Sequence, residues 1–362
     1  MSSNLPLFYF TFFGVVFGLS ILLNSLFLKF SGTLGIRKGE NIIRWSATSK
    51  PALGGITFYI TFLFSIIVYS LFFQPTTVLL QSEMIGLLCS CTVAFLMGLA
   101  DDAYDTNPML KFSSQAFCGI IFIFCGISIN IFSNMYLNYC ITMVWVVGLM
   151  NSINLLDNMD AVSSVAIIGA LLSLISVLLI NHYTTSVFVT LEVGMLSAVC
   201  AFLLFNWHPS KMFMGDTGTQ FLGAFLASAS ILFLWNNLSL KGGPIQAVPA
   251  IQPGKNILSV LLTFALPIMD TTVVFINRLL KGTSPFVGGK DHTTHHLYYL
   301  GMKERQIALL YGAYSALCFL GVVAINKYLT EWSAAYEYIT GGFLIASFVM
   351  LFVITRVKKQ AI

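Results

Sequence analysis

The sequence predicts an all-α integral membrane protein of about eleven transmembrane helices, N-terminus outside and C-terminus in the cytoplasm, and three observations predict it. Hydrophobic residues make up 57% of the chain and charged ones only 9%, against roughly a quarter charged in ordinary soluble domains. That is too little charge to cover a soluble surface of this length. Apolar runs of about 20 residues, enough to cross a hydrocarbon core, recur from end to end. Lys and Arg then fall on alternate connections, the asymmetry that sets orientation in a bilayer.

The first run, 6–28, is unbroken and ends at Lys29. The second, 52–73, follows a basic connection holding Arg37, Lys38, Arg44 and Lys50. Runs at 84–100 and 113–131 flank an acidic stretch, with Pro108 marking where a helix restarts toward the membrane. Runs at 139–156 and 161–180 flank Asn151 to Asp160, and those at 187–206 and 218–236 flank His208 to Gly215. The run 257–277 leads into Arg278 and Lys281. Runs at 306–325 and 336–355 close the chain before Arg356, Lys358 and Lys359. With the N-terminus outside, fifteen Lys and Arg lie inside and only Lys241, Lys255 and Lys327 outside.

Composition excludes several other classes. The net charge is +4, and the basic residues are scattered without the stripe a nucleic-acid partner needs. The seven cysteines sit in or beside apolar runs and read as small buried hydrophobes, not as a disulfide framework. The N-terminus lacks a basic region ahead of its first apolar run, so a cleaved signal peptide is not expected. No Pro/Ser/Gly-rich linker and no repeat divides the chain. Residues 1–362 are expected to form one membrane domain with inner loops at 30–51, 101–112, 151–160, 206–217 and 278–304.

The orientation gives the acidic residues a meaning. All eight aspartates (Asp101, Asp102, Asp105, Asp157, Asp160, Asp216, Asp270 and Asp291) fall at the inner side. They belong to five segments, and chance would gather those on one face about once in sixteen times, because acids contribute little to the orientation rule itself. Carboxylates at a membrane edge are costly and mark function by default.

Four constellations carry that chemistry. Asp101-Asp102, followed by Asp105, Lys111 and Gln115, makes a negative field that a divalent cation or a lysine would neutralise; a solvated acidic loop is the bland alternative. Asn151, Asn154 and Asn158 share a helical face, with Asp157 and Asp160 beside it. These amides and acids suit a base and a ribose, or else hydrogen bonding between helices. Phe213-Met-Gly215-Asp216-Thr-Gly218 places one carboxylate between glycines at a helix start, a setting for a phosphate and for magnesium completed by phosphate oxygens. Phe213 could stack on a base or anchor at the interface. Asp291 to His296 places His292, His295 and His296 within five positions. A zinc site comes first to mind, but no thiolate or carboxylate set stands beside them in the sequence, and a phosphate-binding or acid–base role fits as well.

Together with Lys50-Pro-Ala-Leu-Gly-Gly55, these stretches resemble the polyprenyl-phosphate N-acetylhexosamine-1-phosphate transferases, the superfamily of WecA-type and MraY-type enzymes in bacterial envelope synthesis. The quoted motifs span 50–296. The resemblance implies that a polyprenyl phosphate, undecaprenyl phosphate in bacteria, attacks the β-phosphorus of a UDP-N-acetylhexosamine at the cytoplasmic face of the inner membrane. It implies a requirement for magnesium, with manganese as an alternative. Asp101 and Asp102 would serve the lipid phosphate, one of them as its base, with either a further candidate ligand beside Asp216 for the metal. Lys50 and Lys111 would meet phosphate groups. Asn151, Asn154, Asp157 and Asp160 would bind the nucleotide, Phe213 would stack on uracil, and His292, His295 and His296 would meet the diphosphate or sugar. Eleven spans and a short loop before the histidines resemble the WecA type more than the MraY type. A homodimer is compatible with this reading. Asn158 and Ala161 stand where the family often has glycine. A secondary transporter, the alternative of another class, would place its acids near the midplane and in repeated halves.

Overall fold

The structure is a computed structural model that describes residues 4–31, 50–73, 80–236, 253–284, 289–329 and 331–357. Most of the 30–51 loop, Lys241 and the last five residues lie outside the described residues. Thirteen α-helices and no strand appear among the described residues. They are α1 (Leu5–Phe30), α2 (Gly54–Phe73), α3 (Ser82–Tyr104), α4 (Pro108–Phe124), α5 (Met135–Leu156), α6 (Val162–Ile180) and α7 (Val187–Asn206). There follow α8 (Gly215–Ser230), α9 (Pro253–Thr263), α10 (Ala265–Leu280), α11 (Thr293–Tyr299), α12 (Glu304–Val323) and α13 (Ala334–Ile354). The last turns of α8 and α12 continue as π-helix through Trp235 and Tyr328.

Nine of these helices, with their π-helical ends, have the length and apolarity to cross a membrane. The chain is a multi-pass membrane protein. The structure differs from the eleven-run reading at two places. α4 has 17 residues, at the lower end of the length of a span. It starts at Pro108, where the expected run started at 113, because the Asn107 side chain accepts from the Met109 N–H at 2.9 Å and caps the helix. The run read as 257–277 is two helices, α9 and α10, bent by 78°. Pro267 has no N–H to offer the carbonyl of Thr263 and its ring crowds that carbonyl, which ends α9 there. Counting the bent pair as one span gives ten.

α8 is the axis of the bundle. Its 18-residue hydrophobic window, extended to Trp235, is entirely buried, whereas α1 and α13 bury 17% and 11% of theirs. The sequence permits this because Gly, Ala, Ser and Thr line α8 and let neighbours approach closely. A Cβ at Gly55 in α2 would lie 2.1 Å from the Gly218 nitrogen, and one at Gly98 in α3 would lie 2.3 Å from the Asp216 carbonyl oxygen. Both contacts are with backbone, so neither helix could yield to a side chain without moving α8. These approaches seat the start of α2 and the end of α3 against the first turn of α8.

Candidate active site

The first site is a cation surrounded by oxygens. Lys111, one turn into α4, reaches across to α3, α5 and α8. Its Nζ donates to Asp101 Oδ2 at 3.3 Å, Asn154 Oδ1 at 3.2 Å and Asp216 Oδ2 at 2.8 Å. Asn154 in turn donates from Nδ2 to Asp216 Oδ1 at 2.6 Å and to Thr219 Oγ1 at 2.7 Å. Asp101 Oδ1 accepts from the Thr106 N–H at 3.0 Å and its hydroxyl at 2.5 Å. Residues from three of the predicted constellations thus meet within hydrogen-bonding distance.

Asp102 faces a different way. Its carboxylate accepts from the Asp216 N–H at 3.1 Å and from the Thr217 N–H and hydroxyl at 2.8 and 2.7 Å. It satisfies donors that the first turn of α8 leaves without helical partners. The adjacent aspartates have divided the work: Asp101 joins the oxygen cluster, and Asp102 fixes the helix that carries Asp216. Asn151 lies one turn deeper on α5 and exchanges both amide groups with Gln115, which also donates to Gln220. That is hydrogen bonding between helices, the alternative weighed for it. Asp105 ends α3 at φ 54° on an exposed turn.

A second cluster forms where the stretch after Lys50 runs beside the 212–214 loop. Phe213 N–H donates to the Pro51 carbonyl at 3.0 Å, and Gly54 N–H donates back to the Phe213 carbonyl at 3.2 Å. This pairing places Lys50 Nζ 5.1 Å from the centre of the Phe213 ring, 2.8 Å from Ser210 Oγ and 3.7 Å from Asp160 Oδ2. Asp160 also accepts from Ser210 N–H and Oγ at 2.9 and 2.7 Å. His208 Nδ1 stands between it and Glu304, at 3.1 and 2.8 Å. An aromatic face, a carboxylate and a cation along one wall suit a uracil with its ribose and phosphate. Asp157 lies apart from this wall and accepts from Ser163 Oγ at 2.5 Å. Glu304 escaped sequence reasoning because 96 residues separate it from His208 and no other acid stands in its helix.

The histidine segment docks on the same end of the bundle. Asp291 is held by a bidentate pair from Arg278, Nε at 2.8 Å and the terminal nitrogen at 2.7 Å. Burial pushes its carboxyl up, and the Arg278 guanidinium outweighs that, holding it below the ordinary value. Thr294 Oγ1 donates to Asn158 Oδ1 at 2.6 Å, pinning α11 to the turn between Asp157 and Asp160. A glycine at 158 would have no side chain for this bond. Ala161, the other departure from glycine, adopts φ 67°, a left-handed conformation that costs alanine roughly 1 kcal/mol. His292 and His295 are 3% and 2% exposed, while His296 is half-buried. Two carboxylates stand near these histidines after all: Asp270, bonded to His292, and Asp291, which also acts on His295.

Burial first, and the neighbouring His292 second, push the His295 imidazole from 6.5 down to about 3. The unfolded chain therefore takes up a proton that the folded chain refuses between those values. The stabilisation is complete above pH 6.5 and is lost as pH falls toward 3. Melting temperature in detergent should drop on acidification through this window, with a shallower drop for His295→Gln. Parallel curves for the two proteins would mean that His295 is not held neutral.

Among the comparisons with known proteins, residues 84–234 match glycosyl transferase family 4. A Bacillus subtilis protein named probable undecaprenyl-phosphate N-acetylglucosaminyl 1-phosphate transferase is 26% identical over 270 residues, covering 72% of this chain and 69% of its own length. A decaprenyl-phosphate N-acetylglucosaminephosphotransferase of Mycobacterium leprae is 24% identical over 300 residues, 77% of this chain and 73% of its own. A phospho-N-acetylmuramoyl-pentapeptide-transferase of Streptococcus agalactiae is 30% identical over 200 residues, 50% of this chain and 59% of its own. The family match takes in Asp101 to Asp216 and leaves out Lys50 and the histidine segment.

Proposed function

We propose that the chain is a member of the superfamily of polyprenyl-phosphate N-acetylhexosamine-1-phosphate transferases, a reading that the family match and the relatives support, and that it transfers GlcNAc-1-phosphate from UDP-GlcNAc to undecaprenyl phosphate. The reaction would take place at the cytoplasmic face of the bacterial inner membrane, as the first membrane step of an envelope polysaccharide. An oxygen of the lipid phosphate bonds to the β-phosphorus of the donor. The bond from that phosphorus to the bridging oxygen breaks, and UMP leaves with it. The observation that carries this reading is the convergence of Asp101, Asn154 and Asp216 on Lys111, at helix ends, with the Lys50–Phe213–Asp160 cluster on the loop that leads into α8.

The donor set fits magnesium. Two carboxylates and an amide carbonyl are hard oxygen ligands, and they already surround a cation, the Lys111 ammonium. Asp216 and Asp101 would hold the ion, with Asn154 orienting Asp216; Asp102 supports them through α8. When bound, the ion would offset charge on the diphosphate as UMP departs. Lys111 would move from its carboxylates toward the incoming phosphates, and Asp101 would receive the lipid phosphate. In the second cluster Phe213 would stack on uracil while Asp160 accepts from the base or ribose, and Lys50 would sit between them and the α-phosphate. The histidines would meet the diphosphate or sugar.

The two N-acetylglucosamine-phosphate relatives each match more than two thirds of this chain, whereas the pentapeptide transferase matches half. That extent supports a simple UDP-N-acetylhexosamine donor. Radiolabelled donors incubated with undecaprenyl phosphate, magnesium and purified protein should give lipid-linked label and UMP with UDP-GlcNAc. None is expected with the muramyl-pentapeptide donor. Turnover of the pentapeptide donor alone would move the chain to the MraY type, and no UMP from any donor would remove the transferase reading.

A further inference from the structure

The bend between α9 and α10 carries Asp270 to the start of α11, twenty-two residues on in sequence from the aspartate to His292. Its carboxylate is fully buried. One oxygen lies 2.7 Å from His292 Nδ1, and the other accepts from the Thr293 N–H at 2.9 Å and its hydroxyl at 2.5 Å. A carboxylate can only accept, so two protons are placed by chemistry: His292 carries one on Nδ1, and Thr293 turns its hydroxyl toward Asp270. Thr293 Oγ1 is 2.5 Å from the Tyr311 hydroxyl, which must then be the donor of that bond. The His292 backbone N–H donates to His295 Nδ1 at 3.2 Å, so His295, when neutral, carries its proton on Nε2. Among the described residues nothing hydrogen-bonds to His292 Nε2. Three helices have been committed to fixing one face of this imidazole while leaving the other nitrogen bare.

We propose that Asp270 is a positioning residue for the transfer: it holds His292 in the Nδ1–H form and aims the bare Nε2 at the donor's diphosphate or sugar, a role that rests on the reading above. The nitrogen opposite a hydrogen-bonded Nδ1–H is the one available to a ligand or a proton. A carboxylate here is costly unless all its bonds are made, and they are. A merely structural fastener between α10 and α11 would not need a histidine in one orientation.

Asp270→Asn separates the two roles because it keeps the shape. Its oxygen can still serve Thr293, and its NH₂ then faces His292 Nδ1, which must become an acceptor. Nitrogen-15 spectra of histidine-labelled protein without substrate should show His292 protonated on Nδ1 in the wild type and on Nε2 in the variant. With donor and lipid, kcat should fall on the order of a hundredfold with little change in KM, and Asp270→Asn should cost nothing more in a His292→Ala background. An Nε2–H tautomer in the wild type overturns the proposal even if the variant fails to fold. So does an equal loss in the His292→Ala background. The tautomer arm needs no turnover, so it stands or falls separately from the choice of substrate.

Discussion

Asp216→Asn is expected to lower the maximal rate by roughly a hundredfold or more and to raise the magnesium concentration needed for half-maximal turnover. Asp216 is the acid to which both Lys111 and Asn154 are directed, at 2.8 and 2.6 Å, and it stands at the first turn of α8, whose apolar length is entirely buried. An amide in its place keeps the shape and removes one negative charge from the oxygen set, weakening its hold on a hard divalent ion. Asp105→Asn is the control. Asp105 is exposed at φ 54°, and asparagine tolerates that conformation well, so activity should stay close to normal. Initial rates against magnesium concentration for both variants, in membranes with matched expression, make the measurement. Near-normal activity in Asp216→Asn with an unchanged magnesium requirement would take the metal away from this cluster.

Lys111→Met should move the magnesium requirement in the opposite direction. The methionine fills the same space without a charge, leaving Asp101 and Asp216 with no internal counterion. Uncompensated carboxylates of this kind cost about 3–5 kcal/mol when buried, less here because the lysine side chain is 19% exposed. Magnesium should therefore raise the melting temperature of the variant more than that of the wild type, and half-saturation should occur at lower magnesium. The rate should nevertheless fall by about a hundredfold, because the cation expected to meet the phosphates is gone. The two variants test one idea from both sides. If Lys111→Met and the wild type respond alike to magnesium, the ammonium and the metal do not share these oxygens.

Much of the cluster was legible in the sequence because ionisable residues in so apolar a chain are conspicuous. Asp101, Lys111, Asn154 and Asp216 stood out as polar groups at the ends of apolar runs, and the structure places all four in contact. What one-dimensional reading missed was partnership. Nothing local distinguishes Asp101 from Asp102, yet a rotation of about 100° along one helix sends the first to Lys111 and the second to the start of α8. Asn151 repeats the spacing of Asn154 but meets Gln115 a turn below. Asp270 sits inside an apolar run, and its partner His292 lies twenty-two residues on, at the start of another helix. Hydropathy merged α9 and α10 because it averages over windows longer than the break. It also carried the fourth run on to residue 131, where the chain turns at Gly126, φ 85°.

The complete enclosure of α8 sets what the surrounding lipid can reach. A bilayer that thins or thickens acts on helices it touches, by tilting them or stretching their flanks. Among the described residues, α1 and α13 leave most of their apolar length uncovered by the rest of the protein, and α8 leaves none of its apolar length uncovered. Asp216 is therefore mounted on an inner post, while the outer helices absorb the fluctuations of the membrane as a hull does waves. On the proposed function, such a mount would let the protein take a long, mobile lipid as its substrate and still keep the reacting phosphates in fixed register.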